Sequence, residues 1–174
     1  GLGRPPFAAG SGGAPVAAGL MRGDVHAHAQ QLHGYLQAVT ALKDDGSLFL
    51  CEYLGPVAPQ AALDTLCRAL TLAPDGMRLE PIESVACSGA LCTPRQWLLE
   101  RLLPMSEADR APLDARLYDG FEAELAELFG SEPRWYQLVS SAQGSLASRL
   151  GAIWSIFVFG TDDHAYVLRC SWDR

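Results

Sequence analysis

Apolar residues recur every three or four positions in two long stretches of the chain, the spacing of a helix with one buried face. The first stretch follows Asp24, which is placed to cap a helix, and it ends before the turn sequence Asp44-Asp45-Gly46. The second runs from Pro112 to Phe129. The apolar positions are Val25, Ala29, Leu32, Leu36 and Val39 in the first, and Leu113, Leu117, Phe121, Leu125, Leu128 and Phe129 in the second.

Two shorter helices are predicted where a proline stands in the first helical turn, a position that tolerates its missing N–H. One begins at Pro59 and ends at the turn Pro74-Asp75-Gly76. The other begins with Thr93-Pro94-Arg95-Gln96, in which Thr93 caps the helix and Gln96 reaches back, and Pro104 must end it.

Strand patterns separate these helices and fill the end of the chain. The last two strands are joined by Gly160-Thr161-Asp162-Asp163, and in the final one apolar and smaller residues alternate, so the chain should end in an antiparallel β-hairpin. Pro81 lacks a backbone donor, which predicts an edge position for its strand. The predicted strands are Ser47–Tyr53, Met77–Ser84, Trp135–Val139, Ile153–Phe159 and the segment that carries Tyr166, Leu168, Cys170 and Trp172.

These elements predict an α+β fold: a mainly antiparallel sheet with a C-terminal hairpin and about four helices packed on one side of it. Residues 1–22 are rich in Gly, Ala and Pro and are interpreted as a flexible arm, which leaves 23–174 as a single globular domain. The longest apolar run, Ile153 to Phe159, is far shorter than the roughly 20 residues of a membrane-spanning helix, so no membrane association is expected.

Negative charge is concentrated in one segment. The chain carries a net charge of −7, and between Ser106 and Glu132 eight acidic residues face only Arg110 and Arg116, which leaves −6 there. No basic stripe is present to neutralise phosphates, so nucleic-acid binding is not expected. The predicted partner-binding residues are Asp119, Glu122, Glu124 and Glu127, which would attract a basic protein. The alternative is that an acidic helix face only keeps the protein soluble.

Histidines cluster near the start of the first helix. On a strand, Asp24, His26 and His28 would share one face and could hold a divalent metal, with His33 following. The Asp-x-His-x-His spacing resembles the opening strand of metal-dependent amidohydrolases over five residues, but those (β/α)₈ barrels need more chain than this protein has. On a helix, which the downstream spacing favours, His26, Gln30, His33 and Gln37 form a polar stripe instead.

Five cysteines, an odd number, favour a reducing cytoplasm, although Cys87 and Cys92 could close a disulfide in a periplasmic protein or supply half of a zinc site. His164 follows two aspartates and could in principle serve a cysteine nucleophile such as Cys51 or Cys170. Arginine outnumbers lysine twelve to one, since Lys43 is the single lysine, and this is typical of a GC-rich bacterial genome.

Motifs for nucleotide or hydrolase chemistry are missing: the chain has no phosphate loop, no Gly-x-Gly-x-x-Gly, no His-Glu-x-x-His and no Gly-x-Ser-x-Gly. No cofactor is therefore predicted. The sequence favours a non-catalytic, protein-binding bacterial domain of the inhibitor or immunity type, with oligomeric state open. The alternatives are a small metal-assisted hydrolase using Asp24, His26, His28 and His33, and a small-molecule receptor with a pocket between sheet and helices.

Overall fold

The structure, a computed structural model, describes residues 24–82, 93–99, 111–130, 132–141, 150 and 153–172. Within them the chain forms an α+β arrangement. The α-helices are α1 (Val25–Lys43), α2 (Leu63–Ala69), α3 (Pro94–Leu99) and α4 (Ala111–Phe129), with a short 3-10 helix (Pro59–Ala61) before α2. The strands are β1 (Ser47–Gly55), β2 (Met77–Pro81), β3 (Arg134–Ser140), β4 (Ile153–Gly160) and β5 (Ala165–Trp172).

The five strands form one antiparallel sheet in the order β1-β5-β4-β3-β2. β4 and β5 are the predicted C-terminal hairpin, with Ile153 opposite Trp172 and Gly160 opposite Ala165. Gly160 has φ +152°, and a Cβ there would lie 2.0 Å from the carbonyl oxygen of His164, so the turn requires glycine. The edges of the sheet are β1 and β2, which confirms the edge position predicted from Pro81.

The sheet buries both of its faces, which corrects the prediction that helices pack on one side. Of the described helices, three rather than about four cover one face: α1, α3 and α4 pack on Phe49, Phe157 and Phe159. The opposite face packs against α2 and, at β3 and β4, against the 3-10 helix. The reason lies in β4, whose residues from Trp154 to Gly160 are all buried, so that each face of this strand needs its own cover.

The turn after α1 brings the chain back beside the helix as β1. Asp44 takes a left-handed conformation (φ 44°), and a side-chain oxygen of Asp45 accepts a 2.9 Å hydrogen bond from the Ser47 amide. Lys43, buried at the end of α1, donates to the carbonyl oxygen of Leu98 at 3.0 Å. The end of α1 therefore fixes both β1 and α3.

Helices α1 and α4 lie in close contact. The Tyr35 hydroxyl donates to the Leu117 carbonyl oxygen at 2.7 Å, and a Cβ on Gly120 would lie 2.2 Å from that hydroxyl. Glycine at this position therefore lets the two helices approach.

Several sequence predictions differ from the structure or fall outside it. Asp24 occupies the N-cap position of α1, but its side chain makes no cap hydrogen bond because its backbone (φ −111°, ψ 4°) departs from the extended conformation typical of caps. The N-terminal arm, Cys87, Cys92, Pro104 and most of the loop predicted after Ser140 lie outside the described residues. No described helix combines the length and the apolar character needed to cross a membrane.

Candidate functional site

Helix α4 is amphipathic in the way that its sequence predicts. Leu117, Phe121 and Leu125 are buried against the sheet and the neighbouring helices. Asp119, Glu122 and Glu127 are exposed on the other side, where they form what we call the acidic face. Arg116 is exposed on the same helix. The packing of α4 thus leaves the three carboxylates of the acidic face exposed to solvent.

Glu124 differs from the other predicted binding residues. It is half-buried at the flank of α4 that meets α1, where its carboxylate accepts a 2.6 Å hydrogen bond from the side-chain amide of Gln31. Glu122 accepts from the Tyr118 hydroxyl at 2.8 Å, an interaction within α4. Glu124 therefore contributes to the packing of α1 against α4, whereas Glu122 bonds within α4 and remains exposed to solvent.

The histidines that were predicted to share one metal site point in different directions, because they lie on a helix. Residues two apart on a helix point about 200° apart, so His26 and His28 take different directions. The His26 ring packs edge-to-face on Tyr53 with centroids 5.0 Å apart, whereas His28 packs on Phe129 at 6.5 Å. Among the described residues no group of three or more His, Cys, Asp or Glu side chains is arranged to hold a metal ion.

Three of the four histidines nevertheless meet around β1. The Cys51 amide donates to Nδ1 of His33 at 3.3 Å, which requires an unprotonated Nδ1. The Tyr53 hydroxyl and Nδ1 of His164 lie 2.8 Å apart. With His26 on the Tyr53 ring, α1, β1 and the β4–β5 turn all contribute to this cluster.

An open cavity of about 370 Å³ lies between α1 and the outer edge of β1. We call it the edge cavity. It is lined by His26, Ala29, Gln30, His33, Cys51, Glu52 and Tyr53. Two of the predicted metal-site residues, His26 and His33, line it, whereas Asp24 and His28 do not.

The groups at this cavity are poorly suited to nucleophilic catalysis. Burial, with a smaller contribution from the negative charge of Glu52, raises the pKa of the Cys51 thiol to about 12. Burial also raises the pKa of the Tyr53 hydroxyl and, more strongly, that of the Cys170 thiol. These groups stay protonated at neutral pH, and the side-chain hydrogen bond of His164 joins it to Tyr53.

Sequence reasoning missed Tyr53 as a site residue, and it placed Gln30 and Gln37 only on the polar stripe of α1. The side-chain amide of Gln37 donates to the carbonyl oxygen of Phe49 at 2.9 Å, on the same strand edge that His33 contacts. Gln37 and His33 stand four apart on a helix that a short turn joins to an edge strand. The spacing of these two residues and the short turn are visible in the sequence. The edge position of β1 is not, because it depends on the pairing of β1 with the last strand.

Comparison with family models, with curated proteins and with solved structures yields no match.

Proposed function

We propose that this chain is a non-catalytic protein-binding domain whose acidic face on α4 engages a basic partner. The observation that carries the proposal is the separation of α4 into a buried apolar side, with Phe121 and Leu125, and an exposed side that bears Asp119, Glu122 and Glu127. Carboxylates fixed on a packed helix create a persistent negative field, which accelerates encounter with a positively charged surface.

The proposal is limited to the carboxylates that are exposed and take no part in helix packing. Glu124 is engaged by Gln31, so it serves the α1–α4 contact. Asp119 and Glu127 lie on the outward side together with Glu122 and are free to meet a partner without breaking helix packing. We therefore assign binding to these three residues and a supporting role to Glu124.

Affinity capture with matched baits tests the proposal. The baits are the wild-type chain, the variant Asp119→Lys/Glu122→Lys/Glu127→Lys, and a control, Asp64→Lys/Asp75→Lys/Asp163→Lys, which changes the net charge equally at exposed sites away from α4. We expect one basic protein to be enriched by the wild type and the control and lost from the α4 variant. Equal recovery on all three baits, or no enriched protein, would contradict the proposal.

We also propose that the protein resides in a bacterial cytoplasm. Cys51, Cys67 and Cys170 are free and buried, as in proteins of reducing compartments. Counting thiols by mass spectrometry in protein isolated from its native cells tests this: five free thiols are expected, and a Cys87–Cys92 disulfide would indicate an oxidising compartment instead.

A further inference from the structure

Helix α1 covers the outer edge of β1 in a regular register. Four helical residues span about 6 Å and two strand residues span about 6.8 Å, so side chains four apart on α1 stand opposite alternate residues of β1. Gln37 stands at Phe49 and His33 at Cys51, and both make hydrogen bonds to the strand backbone. The next position in this series is Ala29, which lines the edge cavity together with Tyr53.

Ala29 interrupts the series because a methyl group neither donates nor accepts a hydrogen bond. In an antiparallel strand the amide and carbonyl of one residue point to the same side, and successive residues alternate. The Cys51 amide points outward to His33, so the Cys51 carbonyl and the Tyr53 amide point outward as well. Within the described part of the chain, α1 offers them no hydrogen bond, and the edge cavity opens at this point.

An outward-facing carbonyl and amide on an edge strand form a template for one more strand. The template is short. On its N-terminal side, Gln37 and His33 already bond to the edge of β1. On its C-terminal side, the pairing of β1 with β5 becomes irregular between Tyr53 and Gly55. A single extended peptide fits such a site, whereas a full edge strand of a second folded copy would meet α1.

The lining of the cavity indicates which side chain the peptide brings. The lining includes Glu52, which is exposed, and no lysine or arginine. The rings of Tyr53 and His26, which also line the cavity, pack together, and aromatic faces attract cations. A basic side chain is complementary to this lining in charge.

We propose that the edge cavity is a second binding site, in which an extended peptide carrying a lysine or arginine pairs its backbone with the Cys51 carbonyl and the Tyr53 amide. This site lies on the β1 edge and does not depend on the acidic face of α4. It therefore adds a mode of recognition, main-chain pairing, to the charge attraction of α4.

Amide chemical-shift mapping on the full chain tests the site. The probe is an equimolar pool of blocked pentapeptides with a central lysine flanked by valine, threonine or tyrosine. Two matched pools replace the lysine by glutamate or methylate the backbone nitrogens. We expect the lysine pool to shift the Tyr53 amide, the glutamate pool to bind about tenfold more weakly, and the methylated pool to lose at least about fivefold in affinity.

Charge variants complete the test. Glu52→Lys should weaken binding of the lysine pool by about tenfold, whereas Glu132→Lys, an equal change at another exposed residue, should leave it unchanged. No shift at the Tyr53 amide with any pool overturns the proposal. Equal binding of the methylated pool overturns it in favour of a side-chain pocket, and a concentration-dependent dimer that shifts the same amide without peptide overturns it in favour of a second copy.

Discussion

Close approach of α1 and α4 depends on a tyrosine and a glycine. The hydroxyl of Tyr35 reaches the backbone of α4 at Leu117, and burial, with the nearby negative charge of Glu124, raises its pKa. Because the hydroxyl stays protonated, it remains a donor to the carbonyl well into the alkaline range. The space that it needs is the space that Gly120 leaves empty.

Gly120→Ala should therefore destabilise the protein, although alanine is the better helix former by about 1 kcal/mol. The new methyl group would meet the Tyr35 hydroxyl, and overpacking of this kind costs about 1–3 kcal/mol. Gly34→Ala is the matched control, because Gly34 lies in α1 with nothing within 4 Å of the new Cβ, and it should stabilise. Urea unfolding measures both, and a gain in stability for Gly120→Ala would refute the close contact.

The Cys51 thiol makes the free energy of unfolding depend on pH in the alkaline range. Burial raises the pKa of this thiol from 9.0 to about 12, so between these values the unfolded chain loses a proton that the folded chain keeps. The stabilisation is complete below pH 9 and is lost as pH rises toward 12. We expect the free energy of unfolding to fall across this window.

Urea unfolding at several pH values tests this expectation, and the slope should be shallower in Cys51→Ala. It should not vanish, because burial also raises the pKa of Cys170 and Tyr166. An identical pH dependence in the variant and the wild type would show that the Cys51 thiol ionises equally easily in the folded and unfolded chains.

At the scale of elements, α1 protects the edge of β1 with two side chains. Gln37→Ala removes the hydrogen bond to the Phe49 carbonyl and should cost about 1 kcal/mol of unfolding free energy. Gln30→Ala is the matched control, since Gln30 is exposed in the same helix and lines the edge cavity, and it should change stability little. Equal effects of the two substitutions in chemical denaturation would mean that Gln37 does not protect the edge.

The elements themselves were largely predictable from periodicity. The apolar spacing in α1 and α4 and the alternation in β5 appear in the structure as buried faces, because burial selects one side of a helix or strand. Sheet order was not predictable, since β1 pairs with β5 across most of the chain. Cover on both faces was indicated by the continuous apolar run of β4, but the pattern alone does not say which helix takes which face.

The candidate sites were likewise predictable only where they depend on local periodicity. Exposure of Asp119, Glu122 and Glu127 follows from the helical period of α4, whereas the bond from Gln31 to Glu124 depends on how α1 and α4 meet. The edge cavity lies between α1 and β1, and its opening depends on β1 being an edge strand, which no local pattern could reveal. His164 reaches Tyr53 only because the β4–β5 turn returns to the end of β1.

At the scale of the whole molecule, the described residues form a sheet buried on both faces, with an acidic helix face and an edge cavity on separate surfaces. Helix α1 stands between α4 and the outer edge of β1, with Gln31 directed to α4 and Gln37 to β1. Under the two proposals, the acidic face attracts a basic partner and the edge cavity pairs with an extended peptide, and neither event requires the core to change.

The most direct measurement is the association rate of the captured basic partner as a function of ionic strength, for the wild type and for Asp119→Lys/Glu122→Lys/Glu127→Lys. We predict a wild-type rate that falls steeply with salt, and a variant rate that at low salt is slower by about tenfold or more and nearly independent of salt. Equal rates and equal salt slopes for the two proteins would contradict the claim that the carboxylates of α4 guide binding.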